Sequence, residues 1–217
     1  SAVRDIQNLP DSGHLYAAHV DNDLWRATQG NALVVTDVGQ HQMWTAQYYH
    51  FNHPEMWLTS GGLGTMGFGR PPAIGAALAC PGRTVVCFSG DGSLLMNIQE
   101  LVTAVEEDVN VKIVVLNNNS LGLVRQQQDL FYGKRFYASD FRASVDFAQV
   151  ARGFGMTAHD LAAGDDPAAV LEEAICRPGP CLIHAPIGVN EFVFPMVPPG
   201  AANRDMVGGE ANVDTCA

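Results

Sequence analysis

Basic residues are scarce: 12 Lys and Arg stand against 23 Asp and Glu, for a net charge of −11. A nucleic-acid backbone or an anionic membrane surface needs clustered cations, so neither is expected as a partner. An anionic small molecule would have to be held by metal and backbone N–H groups instead. Charged residues of both signs reach only 16% while apolar ones make up 47%, which fits a globular chain with a well-buried sheet. Cys-x-x-Cys pairs are missing, and the five cysteines Cys80, Cys87, Cys176, Cys181 and Cys216 are an odd number. Buried reduced thiols are expected rather than a metal cluster or a disulfide framework. No run reaches the roughly 18 apolar residues of a membrane span. No signal peptide is visible, and a cytoplasmic protein is expected. The first residues, Ser1-Ala2, lack an initiator Met, which fits a processed product or an excised domain. There is no internal repeat, and 217 residues suffice for one sizeable domain.

Residues 1–13, polar with Pro10 and Gly13, read as a linker. Helical spacing over 14–28 places Ala17, Val20, Leu24 and Ala27 on one face. Short apolar runs at 32–36, 57–59, 84–88, 111–116 and 181–185 read as strands, and helices are expected over 40–49, 71–79, 94–106, 121–131, 145–154 and 166–176. The alternation predicts an α/β fold: a three-layer sandwich with a mostly parallel sheet over residues 14–185. Residues 132–142 read as a polar, aromatic loop. Residues 186–217, rich in Pro and Gly, read as an irregular tail that could cover the site.

Two strand ends carry the polar residues of interest. The run Thr84–Phe88 leads into Gly90-Asp91-Gly92-Ser93, and the run Val111–Leu116 into Asn117-Asn118-Asn119. Open α/β sheets bind ligands at the carboxyl ends of neighbouring strands. Asp91 offers an anionic oxygen, Asn118 a carbonyl oxygen, and Ser120 a backbone carbonyl. Such a set suits Mg²⁺ or Ca²⁺, with phosphate and water completing the shell. Gly90 and Gly92 allow the close turn, and the Ser93 N–H opens a helix where phosphate is favoured. Taken singly, these are a turn and a loop. A third segment, 61–69, has five glycines in nine residues, too many for an ordinary helix, so a loop that lets a ligand approach is expected.

Gly90-Asp91-Gly92 with Asn118 placed 27 residues after Asp91 (118 minus 91) resembles the metal-diphosphate motif of thiamin-diphosphate enzymes. Longer runs narrow the resemblance: Asp37-Val38-Gly39-Gln40-His41-Gln42-Met43-Trp44, Ser60-Gly61-Gly62-Leu63-Gly64-Thr65-Met66-Gly67-Phe68-Gly69, and Pro195-Met196-Val197-Pro198-Pro199-Gly200-Ala201-Ala202. Together they are similar to the C-terminal domain of the acetohydroxyacid (acetolactate) synthase catalytic subunit, from about Asn31 onward. The resemblance implies thiamin diphosphate bound through Mg²⁺ at Asp91, Asn118 and Ser120. Gln40, His41, Gly64, Gly90, Gly92, Ser93 and Gly122 would be the other cofactor-binding positions, and Met66 the residue propping the thiamin in its bent form. It implies 2-oxo acid substrates, with pyruvate decarboxylated and transferred to a second 2-oxo acid in branched-chain amino-acid biosynthesis. FAD and an activating Glu would come from domains outside this chain. A homodimer, complementary N-terminal domains and a regulatory subunit are its implied partners. Two other readings stand beside it: a separate subunit of a two-chain 2-oxo acid decarboxylase, and a cofactor-binding fragment without catalysis.

This sequence departs from the family pattern at two places. Arg70-Pro71-Pro72 stands where Leu-Pro-Ala is usual. Gln126-Gln127-Gln128 has a glutamine where many members carry a Trp tied to a preference for 2-ketobutyrate. Asn97 and Glu100 read as packing and solvated positions. Losing an apolar face forfeits about 1–3 kcal/mol of discrimination for a methylene-sized difference. Gln127→Trp in the complete enzyme should therefore raise the 2-ketobutyrate preference; an unchanged product ratio would remove Gln127 from the site.

Overall fold

In a computed structural model, residues 6, 9, 13–163 and 166–208 are described. Most of the expected linker, Cys216 and the end of the tail lie outside them. The elements run α1 (Ala17–Ala27), β1 (Leu33–Thr36), α2 (Gln40–Tyr48), β2 (Trp57–Thr59), α3 (Arg70–Ala79), β3 (Val85–Gly90), α4 (Asp91–Met96), α5 (Glu100–Glu106), β4 (Val111–Asn117), α6 (Gly122–Phe131), α7 (Phe147–Gly153), β5 (Thr157–Asp160), α8 (Pro167–Cys176) and β6 (Cys181–Pro186). The strands form one sheet in the order β2-β1-β3-β4-β6-β5, with every pairing parallel. This is the α/β sandwich that the alternation predicted.

Parallel strands covered on both faces read as continuous apolar runs, and the period of two then divides each run between two cores. Val34, Val86, Phe88, Val114, Leu116 and Ile183 face α1, α2 and α8, meeting Leu24, Trp44 and Leu171. Leu33, Val35, Cys87, Ile113, Val115 and Leu182 face α3, α4, α5 and α7, meeting Ile74, Leu94, Leu101 and Phe147. Two helix starts follow side-chain chemistry. Asp146 accepts from the Gln149 N–H at 2.8 Å and Asp166 from the Ala169 N–H at 3.2 Å, each satisfying a donor that the first turn leaves open.

Two expectations need correction. The single helix expected over 94–106 is two helices, α4 starting at Asp91 itself and α5 at Glu100. Asn97 breaks the run with non-helical backbone (φ −149°, ψ 48°), because its side chain is committed elsewhere. Strand β5, Thr-Ala-His-Asp, was not expected at all. It is a half-buried edge strand of four residues whose place comes from pairing with β6 and not from its composition. The tail beyond β6 is irregular, with an isolated bridge between Met196 and Val207. Among the described residues no helix is long and apolar enough to cross a membrane.

Leu182 is fully buried in β6. Leu182→Ala should cost about 2–5 kcal/mol through lost burial and an unfilled cavity. Chemical denaturation checks this, and a change below 1 kcal/mol would mean that this layer repacks freely.

Candidate active site

The chain leaves β1 toward β2 on one side and leaves β3 toward β4 on the other, so the crevice between the β1 and β3 carboxyl ends is a topological switch point. One cavity opens there. Its lining includes Gln40 and His41 from the start of α2, Gly90, Asp91, Gly92 and Ser93 from the β3–α4 turn, Asn118 and Ser120 after β4, Gly122 at the start of α6, and Met66 from the glycine-rich loop. Nine of the sequence-derived positions and Met66 are thus brought together. Gly64 lies outside the lining; its left-handed backbone (φ +65°) shapes the loop against Val38. Gln127 is exposed and lines an adjoining surface cavity with Val124, Gln128, Tyr132 and Arg135, Val124 being shared with the first cavity.

Asp91 and Asn118 converge on one donor. The Ser120 N–H donates to Asp91 Oδ2 at 3.1 Å and to Asn118 Oδ1 at 3.2 Å, while the Gly92 N–H donates to Asp91 Oδ1 at 2.6 Å. Asn119 adopts the left-handed conformation (φ 55°), and the Asn117 carboxamide accepts its N–H at 3.0 Å. Loop 132–142 packs back on the same turn: Leu121 N–H donates to the Ser139 carbonyl at 2.7 Å and Phe141 N–H to that of Asn119 at 2.9 Å. The loop is therefore a brace for the asparagine turn.

Burial pushes the Asp91 carboxyl up to about 6, against the opposing pull of N–H donors from Gly92, Ser120 and Asn119 and of nearby His41. No ion pair satisfies it among the described residues. Nor is there a cluster of three or more His, Cys, Asp or Glu side chains able to hold a metal. The pocket thus offers a buried, uncompensated anionic oxygen beside a neutral one, a donor set that fits a hard cation bringing phosphate oxygens with it. The space above the turn is kept clear by glycine: a Cβ on Gly92 would stand 2.8 Å from Leu121 Cδ2 and 3.3 Å from Met66 Cε. These features fit a metal-bridged diphosphate.

Sequence reasoning missed two residues. Asp37, fully buried, makes a short contact from Oδ1 to His41 Nε2, and this fixes the ring beside Gly90. The turn between them requires glycine, because Gly39 has φ +147° and a Cβ there would meet His41 Cε1 at 2.8 Å. The spacing of four from Asp37 to His41 was the available signal. Gln126, and not Gln127, is the buried member of its triplet. It accepts from Gln40 Nε2 at 2.8 Å, and exchanges bonds with Val193, donating at 2.7 Å and accepting at 3.0 Å. Asn118 Nδ2 donates to Gln40 Oε1 at 3.1 Å, which completes a chain from the asparagine turn to the tail. Asn97 also corrects its reading as a packing position, since both ends of its amide are bonded.

Residues 37–185 match the model of the thiamine pyrophosphate enzyme C-terminal TPP binding domain. The chain belongs to that family. It is 61% identical over 178 residues to acetolactate synthase isozyme 1 large subunit of Escherichia coli strain K12, a match covering 82% of this chain and 32% of that protein. It is 44% identical over 193 residues to the isozyme 2 large subunit of the same organism, covering 89% and 35%. The chain thus spans about a third of the length of these curated relatives. A solved structure, the thiamine diphosphate-dependent 4-hydroxybenzoylformate decarboxylase of Rhodococcus jostii RHA1, shares the fold with a TM-score of 0.76 at 24% identity, over 86% of this chain and 34% of that one.

The Asp91 shift has a defined sign. Its folded pKa lies above the unfolded value of 3.8, so the native state binds the proton more tightly, and stability falls as pH rises from about 4 to about 6. Without metal, wild type should lose stability relative to Asp91→Asn across that window, by a few kcal/mol at most, and the difference should be flat above pH 7. Melting curves of both proteins check it; a difference independent of pH would mean that Asp91 does not titrate there.

Proposed function

We propose that this chain is the cofactor-binding part of an acetolactate synthase. The intact enzyme would decarboxylate pyruvate and transfer the resulting two-carbon unit to a second 2-oxo acid. The single observation that carries the cofactor reading is the convergence of Asp91 Oδ2 and Asn118 Oδ1 on the Ser120 N–H at the switch point. The 61% identity over 178 residues to a named acetolactate synthase large subunit supports the choice of reaction.

In this reading Asp91, Asn118 and the Ser120 carbonyl hold Mg²⁺. The Ser93 N–H and the backbone at Gly90, Gly92 and Gly122 border the diphosphate, with Gln40 and His41 as side-chain donors and Gly64 shaping the loop beyond. When bound, thiamin diphosphate supplies the electron sink that decarboxylation of a 2-oxo acid needs. The protein's work is to bind and orient. His41, held by Asp37, presents its other ring nitrogen toward Gly90, where a Cβ would be 3.1 Å from Nδ1. Met66 supplies an apolar surface against the ring portion of the cofactor. FAD, the activating Glu and the second wall of the pocket belong in this reading to the remaining two thirds of the enzyme and to a partner subunit in a dimer.

Calorimetry tests it. Thiamin diphosphate should bind in a Mg²⁺-dependent manner, and Asp91→Ala should lower the affinity at least 100-fold, as expected when a charged ligand to a cation is lost. Binding that ignores both Mg²⁺ and the substitution would overturn the metal assignment. The 217-residue chain alone should form no acetolactate; turnover by the pure chain would show that the activating group lies within it.

A further inference from the structure

Arg70 opens α3 and is fully buried, yet no carboxylate pairs with it among the described residues. Burial lowers its pKa, against the opposing pull of Cys87, Asp37 and Glu100. A cation in such a place is tolerated only when its N–H groups are engaged. Nη1 donates to Ser89 Oγ at 3.2 Å, and Nη2 donates to the carbonyls of Ser93 and Leu94, both at 2.8 Å, and in a short contact to Asn97 Oδ1, so both terminal nitrogens are engaged while Nε alone has no partner among the described residues.

Those two carbonyls belong to the last four residues of α4, which have no partner within the helix and sit at its negative end. Arg70 therefore closes the short helix whose first residue is Asp91. Asn97 passes the connection on: its Nδ2 donates to the Gly67 carbonyl at 2.6 Å. Gly67 has φ +84° and lies so close to α4 that a Cβ would stand 2.8 Å from Met96 Cβ. Its neighbour in the chain is Met66, which lines the cavity over Gly92.

We infer that Arg70 is a positioning residue. By joining the end of α4 to Asn97, and through Asn97 to Gly67, it sets where Met66 stands relative to the Asp91–Gly92 turn. It does not line the cavity itself.

The test labels the methionine methyls with ¹³C and compares NMR spectra of wild type, Arg70→Leu, Arg70→Lys and Asn97→Ala, with thiamin diphosphate titrations at saturating Mg²⁺ beside them. The Met66 resonance should move in Arg70→Leu and Asn97→Ala and return toward its original position in Arg70→Lys, while those of Met43 and Met56 stay in place. The cofactor Kd should rise about tenfold in Asn97→Ala. Should Arg70→Leu not fold, Asn97→Ala decides alone. A stationary Met66 resonance in Asn97→Ala, or a moved resonance with Kd within twofold of wild type, overturns the inference. Only the titration rests on the proposed cofactor; a wild type that fails to bind it sinks that reading and leaves the Met66 resonance to decide the role of Arg70.

Discussion

The placement of β3 between β1 and β4 is the constraint on which the site depends. Parallel pairing aligns Thr36 with Phe88 and Gly90 with Leu116, so three strands release their chains at nearly one level. Each then spends its first residues on polar groups facing a common space. No individual side chain has to be long or flexible to reach the site. The side chains that line it are short or anchored, and the backbone between them is forced into tight conformations at Gly39 and Asn119. A slip of one residue in any of these ladders would turn Asp91 or Asn118 into the sheet.

Charge is handled unevenly around this space. Asp91 is buried with hydrogen-bond donors but no cation, and burial pushes its carboxyl up to about 6 against those donors. Arg70, on the far side of the same short helix, is a buried cation with acceptors but no anion. The two do not pair. The arrangement leaves the anionic end without a cation while both terminal nitrogens of the cationic end are spent on neutral acceptors. In a protein with an excess of acidic groups, backbone N–H donors thus face the cavity on one side and the positive charge of Arg70 is withheld for structure on the other.

Much of the fold was legible because buried parallel strands announce themselves. Val85–Phe88 and Val111–Leu116 are unbroken apolar runs, and the helices between them keep the 3.6 period. The Gly90–Ser93 turn and the asparagine turn were legible as polar residues following such runs. What could not be read were features set by distant partners. Strand β5 exists because β6 offers it an edge. The break at Asn97 follows from Arg70 and Gly67, both about 30 positions away in sequence. The choice of Gln126 over Gln127 as the inward member of the triplet depends on the rotation of α6, which the tail fixes through Val193. The Asp37–His41 pair was visible as spacing, but its contact required the Gly39 turn.

Gln40 carries a consequence of its own. A carboxamide has two N–H bonds, and both are committed: one to Gln126 Oε1, the other to the Glu191 carbonyl at 3.2 Å. An anionic oxygen that draws on Gln40 must therefore win a donor either from Gln126 or from the tail. Only one of the two hydrogens goes to the tail, and the other goes to α6, so a ligand that takes the first loosens the hold on Glu191 and one that takes the second loosens Gln126.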